Sequence, residues 1–181
     1  MRYTLWNKIF GVGLSRTGTT TLADALNALG YRVSHYTWPH QAVYERKLRR
    51  LYFAKDGGTD VTVSAIFERL DRLFPNSRFI YTERDIDTWL VSVERHFARR
   101  GEVPSIERQL RIKMYGTDHF DRARLEQAYH DHHDRVLDYF AKRPNHLLRL
   151  RICDGEGWER LCPFVGRDQP GIPFPRSQRA G

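Results

Sequence analysis

FGVGLSRTGTTTL (residues 10–22) holds a stretch, Gly13 to Thr20, that fits the phosphate-loop spacing G-x-x-x-x-G-K-[ST] with one change: Thr19 stands where the lysine belongs. The apolar run KIFGVGL leading into it reads as a strand, and Leu22, Ala25, Leu26 and Leu29, closed by Gly30, read as one face of a helix. Strand, glycine loop and helix N-terminus together favour an anion, because glycines let backbone N–H groups turn inward and the helix start carries a partial positive charge. Without the lysine that neutralises the outer phosphates, triphosphate hydrolysis is disfavoured. Arg16 puts a cation inside the loop instead. A glycine turn capped by threonines is the plainer reading, but an internal cation and three consecutive hydroxyls are more than a cap requires.

Outward from the loop, YRVSHY reads as a second strand and QAVYERKLRRLY as a basic amphipathic helix after the Trp38-Pro39 break. AKDGGTD is expected to be a loop ahead of the helix SAIFERLDRLF, and PNS turns the chain into the strand RFIYTE. Another helix starts near Asp87. Residues 102–114 are basic and poorly periodic, which predicts a loop with helical pieces. RARLEQAYHDHHDRVLDYFAKR predicts a long helix, and LLRLRI a last strand before GWERLCPFV. Alternating strands and helices predict an α/β fold with three layers, a parallel sheet covered by helices on both faces. We expect one domain over residues 1–181, with an irregular tail over residues 166–181.

The 181 residues, 40% of them hydrophobic, suffice for a core, and the formal charge of +8 favours an anionic partner: nucleotide, acidic substrate, nucleic acid or membrane surface. The basic residues are interspersed with acids and carry no RNA-recognition, zinc-finger or oligonucleotide-barrel signature, so neither nucleic acid nor a membrane is the expected partner. No apolar run approaches the roughly 20 residues of a membrane span, and MRYTLWNKIF lacks a signal-peptide pattern, which predicts a soluble cytoplasmic protein. Cys153 and Cys162 read as buried reduced thiols. YHDHHD places His130 and His133 three apart, but Leu125, Tyr129, His132, Val136 and Tyr139 trace an apolar stripe. His132 is therefore expected in the core, and no metal site is predicted. Residues 95–113 read as a basic surface or as the receiver of an anionic acceptor.

In RFIYTERDIDTWLVSVERHF, Arg84 falls where the strand ends, and Ser92 follows eight residues later on the next helix. In a parallel sheet such a strand end shares an edge with the glycine loop. An ion pair with Glu83, Asp85 or Asp87 would be the default for an isolated arginine here. The two segments together resemble the sulfotransferases that use 3′-phosphoadenosine 5′-phosphosulfate, and YG at Tyr115-Gly116, GEGWERLCPFVG and PFP resemble a small microbial branch. The resemblance implies a nucleoside-kinase-like P-loop fold and sulfuryl transfer, without a metal, to a hydroxyl or amine of a small-molecule acceptor. It places the 5′-phosphosulfate on Ser15, Arg16, Thr17, Gly18, Thr19, Thr20 and Thr21, and the 3′-phosphate on Arg84 and Ser92. It makes residues 95–143 a helical acceptor-side segment. Thr21 stands where many members set a tryptophan against the adenine. Arg16 is the expected electrostatic catalyst at the leaving oxygen. Asp60, His35 and His40 are the candidate bases; Asp60 reads equally as an N-cap aspartate and His35 as a structural histidine. A nucleotide kinase, a nucleic-acid-binding module and a non-catalytic nucleotide-binding protein are the alternatives, and homodimerisation stays open.

Overall fold

Ile9, Phe10 and Gly11 form the central strand of a five-stranded sheet in a computed structural model that describes residues 8–35, 45–100 and 103–176. The strands are β1 (Ile9–Gly11), β2 (Val33–His35), β3 (Gly57–Thr59), β4 (Arg78–Thr82) and β5 (Leu147–Leu150), in the order β2-β3-β1-β4-β5. Every pairing is parallel. The helices are α1 (Thr19–Ala28), α2 (Glu45–Leu51), α3 (Val61–Ser64), α4 (Phe67–Leu73), α5 (Ile86–Arg99), α6 (Ser105–Tyr115), α7 (Arg122–Phe140) and α8 (Trp158–Val165). The chain partitions into two units, Met1–Glu83 with Arg143–Gly181, and Arg84–Lys142. The sheet lies wholly in the first.

Alternation along the short strands sorts the core of the first unit onto two faces. Ile9, Val33, Ile80, Leu148 and Leu150 pack with Leu22, Ala25 and Leu26 of α1 and with Leu161, Cys162 and Val165 of α8. Phe10 belongs instead to an aromatic group: its ring lies 5.1 Å from Tyr52, just past α2, 6.1 Å from Phe74, just past α4, and 5.6 Å from Phe79. The fold is thus a three-layer α/β arrangement with helices on both faces of a parallel sheet. Residues 167–176 carry no helix or strand; Trp158 anchors them by donating Nε1–H to the Ile172 carbonyl and packing edge-on against Phe174.

One strand was not expected. AKDGGTD supplies β3, which lies between β1 and β2 rather than in a loop. Its glycines, which read as turn residues, answer a packing demand: a Cβ on Gly57 would fall 1.6 Å from the Ile9 carbonyl oxygen. The expected helix SAIFERLDRLF forms as α4 over Phe67–Leu73, and a separate short helix, α3, precedes it over Val61–Ser64. Cys162 is buried as expected, whereas Cys153 is exposed; both are free thiols.

In the second unit residues 105–115 form a regular helix, α6, where loop and helical pieces were predicted. Its periodicity is hidden because two buried positions carry charge. Glu107 accepts hydrogen bonds from Arg100 and, at 2.9 Å, from Arg111, whose guanidinium lies over the Phe97 ring. Glu107 and Arg111 are both buried because they are paired. On α7, Leu125, His132, Val136 and Phe140 are buried, His130 is exposed and His133 is half-buried. Among the described residues no group of three His, Cys, Asp or Glu could hold a metal ion, and no helix is long and apolar enough to cross a membrane.

The strand starts of the first unit are tied by one carboxylate. Asp56, just before β3, accepts from the backbone N–H of Arg32 at 2.8 Å and from its Nε at 3.2 Å. Burial pushes the Asp56 carboxyl up, but the Arg32 hydrogen bonds and the Arg32 and Lys8 charges outweigh it and hold the pKa below the usual range. A lowered carboxyl pKa contributes stability that is present above the unfolded value of about 3.9 and is lost as pH falls through the folded one. Asp56→Asn should therefore destabilise the protein at pH 7 by no more than about 1 kcal/mol, since the pair is partly exposed. The difference should shrink as pH falls below about 4 and through the lowered folded pKa, as measured by denaturant titration over a series of pH values.

Candidate functional site

In the first unit, the parallel register brings the ends of β1, β2, β3 and β4 to one edge, where the glycine loop, His35, Asp60 and Thr82 gather. Thr17, only 1% exposed, fixes the loop. Its hydroxyl donates to the Leu14 carbonyl at 2.7 Å, so the 2.7 Å bond to Thr82 Oγ1 must be accepted from the Thr82 hydroxyl. Ser64 Oγ adds a 2.7 Å bond to the Gly13 carbonyl from α3. Gly13 has no room for a side chain: a Cβ would lie 1.9 Å from Thr82 Oγ1 and 2.7 Å from the Thr82 carbonyl oxygen. Gly18 is needed for a different reason, its left-handed φ of 99° at the start of α1. Arg16 is left-handed too, at φ 74°, and its side chain is half-buried.

The threonines after Gly18 differ in what their side chains can do. Thr17 uses its hydroxyl proton within the protein. Thr19 is buried and gives its carbonyl to the Thr59 hydroxyl at 3.0 Å. Thr20 is half-buried and bonds His35 Nε2 at 3.0 Å, and Thr21 is buried. His35 Nδ1 in turn meets Thr59 Oγ1 at 3.0 Å. His40 lies outside the described residues.

Asp60 follows β3 directly and is 4% exposed, at φ 101° and ψ 165°. That backbone region is essentially confined to glycine and costs on the order of 1–3 kcal/mol for other residues. Asp60 does hold the N-cap position of α3, yet its side chain makes no capping hydrogen bond. Its Oδ1 instead lies 3.4 Å from the Ser15 hydroxyl of the glycine loop. A residue serving only to cap or turn would not need this backbone.

Arg84 opens the second unit, half-buried, with Nε donating to Thr88 Oγ1 at 3.3 Å and its carbonyl accepting from the Tyr129 hydroxyl at 2.6 Å. Tyr129 is itself packed against Trp89, 5.2 Å between ring centres. Each of the three neighbouring carboxylates has a partner of its own. Glu83 is held by Arg149, Asp85 caps α5 by accepting from Thr88 N–H, and Asp87 pairs with Arg122. Ser92 is buried on α5, not turned to solvent. Thr59, Thr82 and Ser64 support these residues and were not singled out in the sequence, while Tyr129 was read only as part of the apolar stripe of its helix. Thr59 went unseen because its strand was read as a loop, and Thr82 and Ser64 carry no motif.

A strand, a glycine loop without the lysine and a helix start follow one another on a parallel sheet with the order 2-3-1-4-5. The chain belongs to the sulfotransferase domain family, whose model matches residues 8–181. Its chemistry is therefore that of a sulfotransferase. No curated protein matches the chain.

Thr17→Val should cost about 1–3 kcal/mol, because it removes the 2.7 Å hydroxyl bond to the Leu14 carbonyl, which keeps the 3.4 Å bond from the residue 17 N–H, and takes away the Thr17 acceptor of the Thr82 hydroxyl. Asp60→Gly should do the opposite. Relief of about 1–3 kcal/mol of backbone strain outweighs the roughly 0.5–1 kcal/mol entropy cost of a glycine. Thermal denaturation of the two variants should move in opposite directions, by about 2–4 °C per kcal/mol for a chain of this size.

Proposed function

We propose that the protein transfers a sulfuryl group from 3′-phosphoadenosine 5′-phosphosulfate to a hydroxyl or amine of a small-molecule acceptor in the cytoplasm. The observation that carries this reading is the glycine loop: a half-buried arginine in left-handed conformation, a left-handed glycine and an α-helix start, braced from β4 and α3. That cradle fits a phosphate ester or phosphosulfate by its cation and its backbone donors, and it lacks the lysine that triphosphate chemistry demands. In this reading Ser15, Arg16, Thr17, Gly18, Thr19, Thr20 and Thr21 surround the phosphosulfate, Thr17 and Thr19 through their backbone. Arg84 and Ser92 take the 3′-phosphate.

When bound, the donor supplies the sulfuryl group: its S–O bond to the 5′-phosphate breaks as an acceptor O–S or N–S bond forms. Arg16 and the loop N–H groups stabilise the charge that grows on the leaving phosphate oxygen, the strategy of an oxyanion hole. Asp60 takes the acceptor's proton. Its strained, buried position beside Ser15 supports that role over the capping one. Residues 95–143 recognise the acceptor in this reading. Within the second unit, α6 and α7 line an open cleft of about 380 Å³ whose side chains include Lys113, Arg124 and Arg135.

Titration calorimetry tests the donor. 3′-Phosphoadenosine 5′-phosphate should bind more tightly than ADP or ATP, and Arg84→Ala should weaken it by about 1.5–3 kcal/mol, the loss of a charged hydrogen bond, while leaving ADP binding unchanged. Equal affinity for ADP, or no binding of either, would overturn the donor assignment. Magnesium-dependent ATP turnover would redirect it to a kinase.

A further inference from the structure

We infer that His35 is a positioning residue rather than the base, and that it takes up a proton when an anion occupies the glycine loop; this rests on the assignment of that loop to the phosphosulfate. The directions of its hydrogen bonds to Thr59 and Thr20 follow from the Thr19 carbonyl. The Thr19 carbonyl can only accept, so the single hydroxyl proton of Thr59 points to it. Thr59 Oγ1 must then accept from His35, which puts the proton on Nδ1. In the neutral ring Nε2 is an acceptor, and the Thr20 hydroxyl donates to it. In this state the ring lone pair that a base would use receives the Thr20 proton.

Thr20 lies on the first turn of α1, directly after the loop, and its hydroxyl is already used as a donor. For Thr20 to donate to a bound anion, its proton must leave Nε2. The Thr20 oxygen then needs a donor, and His35 can be one only as the imidazolium. The Nδ1–H bond to Thr59 is the same in both forms, so the ring need not turn. Protonation of Nε2 thus reverses one hydrogen bond and releases the Thr20 proton to the anion. No bond other than N–H is made, and the proton comes from solvent.

Among the described residues, the elements packed most closely against β2 are α1 and β3. The ionisable side chain on α1 is Asp24, which is exposed; β3 has none. Asp60 follows β3, Asp56 precedes it and pairs with Arg32 at the far end of the strands, and Arg16 lies in the loop before α1. These groups set the background against which the anion acts. An added anion favours the imidazolium.

Long-range ¹H–¹⁵N spectra of the free protein should show His35 as the neutral Nδ1–H tautomer, the less common one for a free imidazole. 3′-Phosphoadenosine 5′-phosphate should convert it to the doubly protonated ring near pH 7. Calorimetry in two buffers of different ionisation enthalpy should show proton uptake that exceeds that of His35→Gln by up to one proton per chain. Thr20→Val, which keeps His35, should abolish the same excess. An Nε2–H tautomer, or binding with no excess uptake over His35→Gln, overturns the inference. If the nucleotide does not bind but inorganic pyrophosphate converts His35, the inference stands and the donor assignment falls; if neither anion converts it, the inference falls.

Discussion

The buried hydroxyl pair Thr17–Thr82 decides whether the glycine loop has one shape. Thr17 spans the loop's own turn by donating to Leu14, and Thr82 ties that turn to β4. The approach leaves no space for a Cβ at Gly13, so the two loop glycines have separate causes. Gly13 lets β4 come close, and Gly18 allows the left-handed step into α1. Neither hydroxyl is surplus, because a buried loop whose carbonyls lacked partners would incur about 1–3 kcal/mol for each one left unmet. With the loop fixed in this way, a bound anion does not have to order it, and little entropy opposes binding.

The sheet is the frame that makes this local knot useful. Three-residue strands bury little by themselves, and β1 in the centre gains its stability from being covered on both faces. Ile9 joins the aliphatic layer of α1 and α8, and Phe10 joins the aromatic layer behind it. Because all five strands are parallel, everything that follows a strand in the first unit emerges at the same edge. His35, Asp60 and the glycine loop need no further device to meet there. The 3.4 Å approach of Ser15 to Asp60 and the Thr20–His35–Thr59 chain are consequences of register.

Much of this was legible in residue order. The strand-loop-helix of residues 8–29 and the strand before Arg84 announce themselves through apolar runs that end at glycine or at charge. Two elements were hidden for opposite reasons. β3 is written in glycines, which signal turns in isolation but here reflect the 1.6 Å that would separate a Gly57 Cβ from the Ile9 carbonyl oxygen. α6 is written in charges, and its buried Glu107 and Arg111 look like surface until their pairing is known. Both cases depend on a partner distant in the chain or on the next turn of the helix, which local composition does not encode. The site residues were legible by type. What each threonine does was not, since Thr17, Thr19 and Thr20 read alike, yet Thr17 and Thr20 bond through their hydroxyls to different partners and Thr19 through its carbonyl.

Backbone conformation carries the remaining step. Among the described residues, three other than glycine have positive φ: Arg16, Asp60 and Asn76. Asn76 is a turn residue of a kind that tolerates the left-handed region through its short side chain. Arg16 and Asp60 have no such excuse, and where this chain needs left-handed backbone for a helix end or a turn it uses glycine, at Gly18, Gly30, Gly116, Gly155 and Gly166. A glycine at either position would be the more stable choice. An arginine and an aspartate stand there on one edge of one sheet, each at a local cost of roughly 1–3 kcal/mol. The cation that phosphate loops usually place at the helix start has moved to the loop crest, and the carboxylate opposite has been given a backbone that capping alone would never require. In the proposed transfer those would be the two charges required, a cation to stabilise the negative charge that grows on the leaving oxygen and a carboxylate to take the proton.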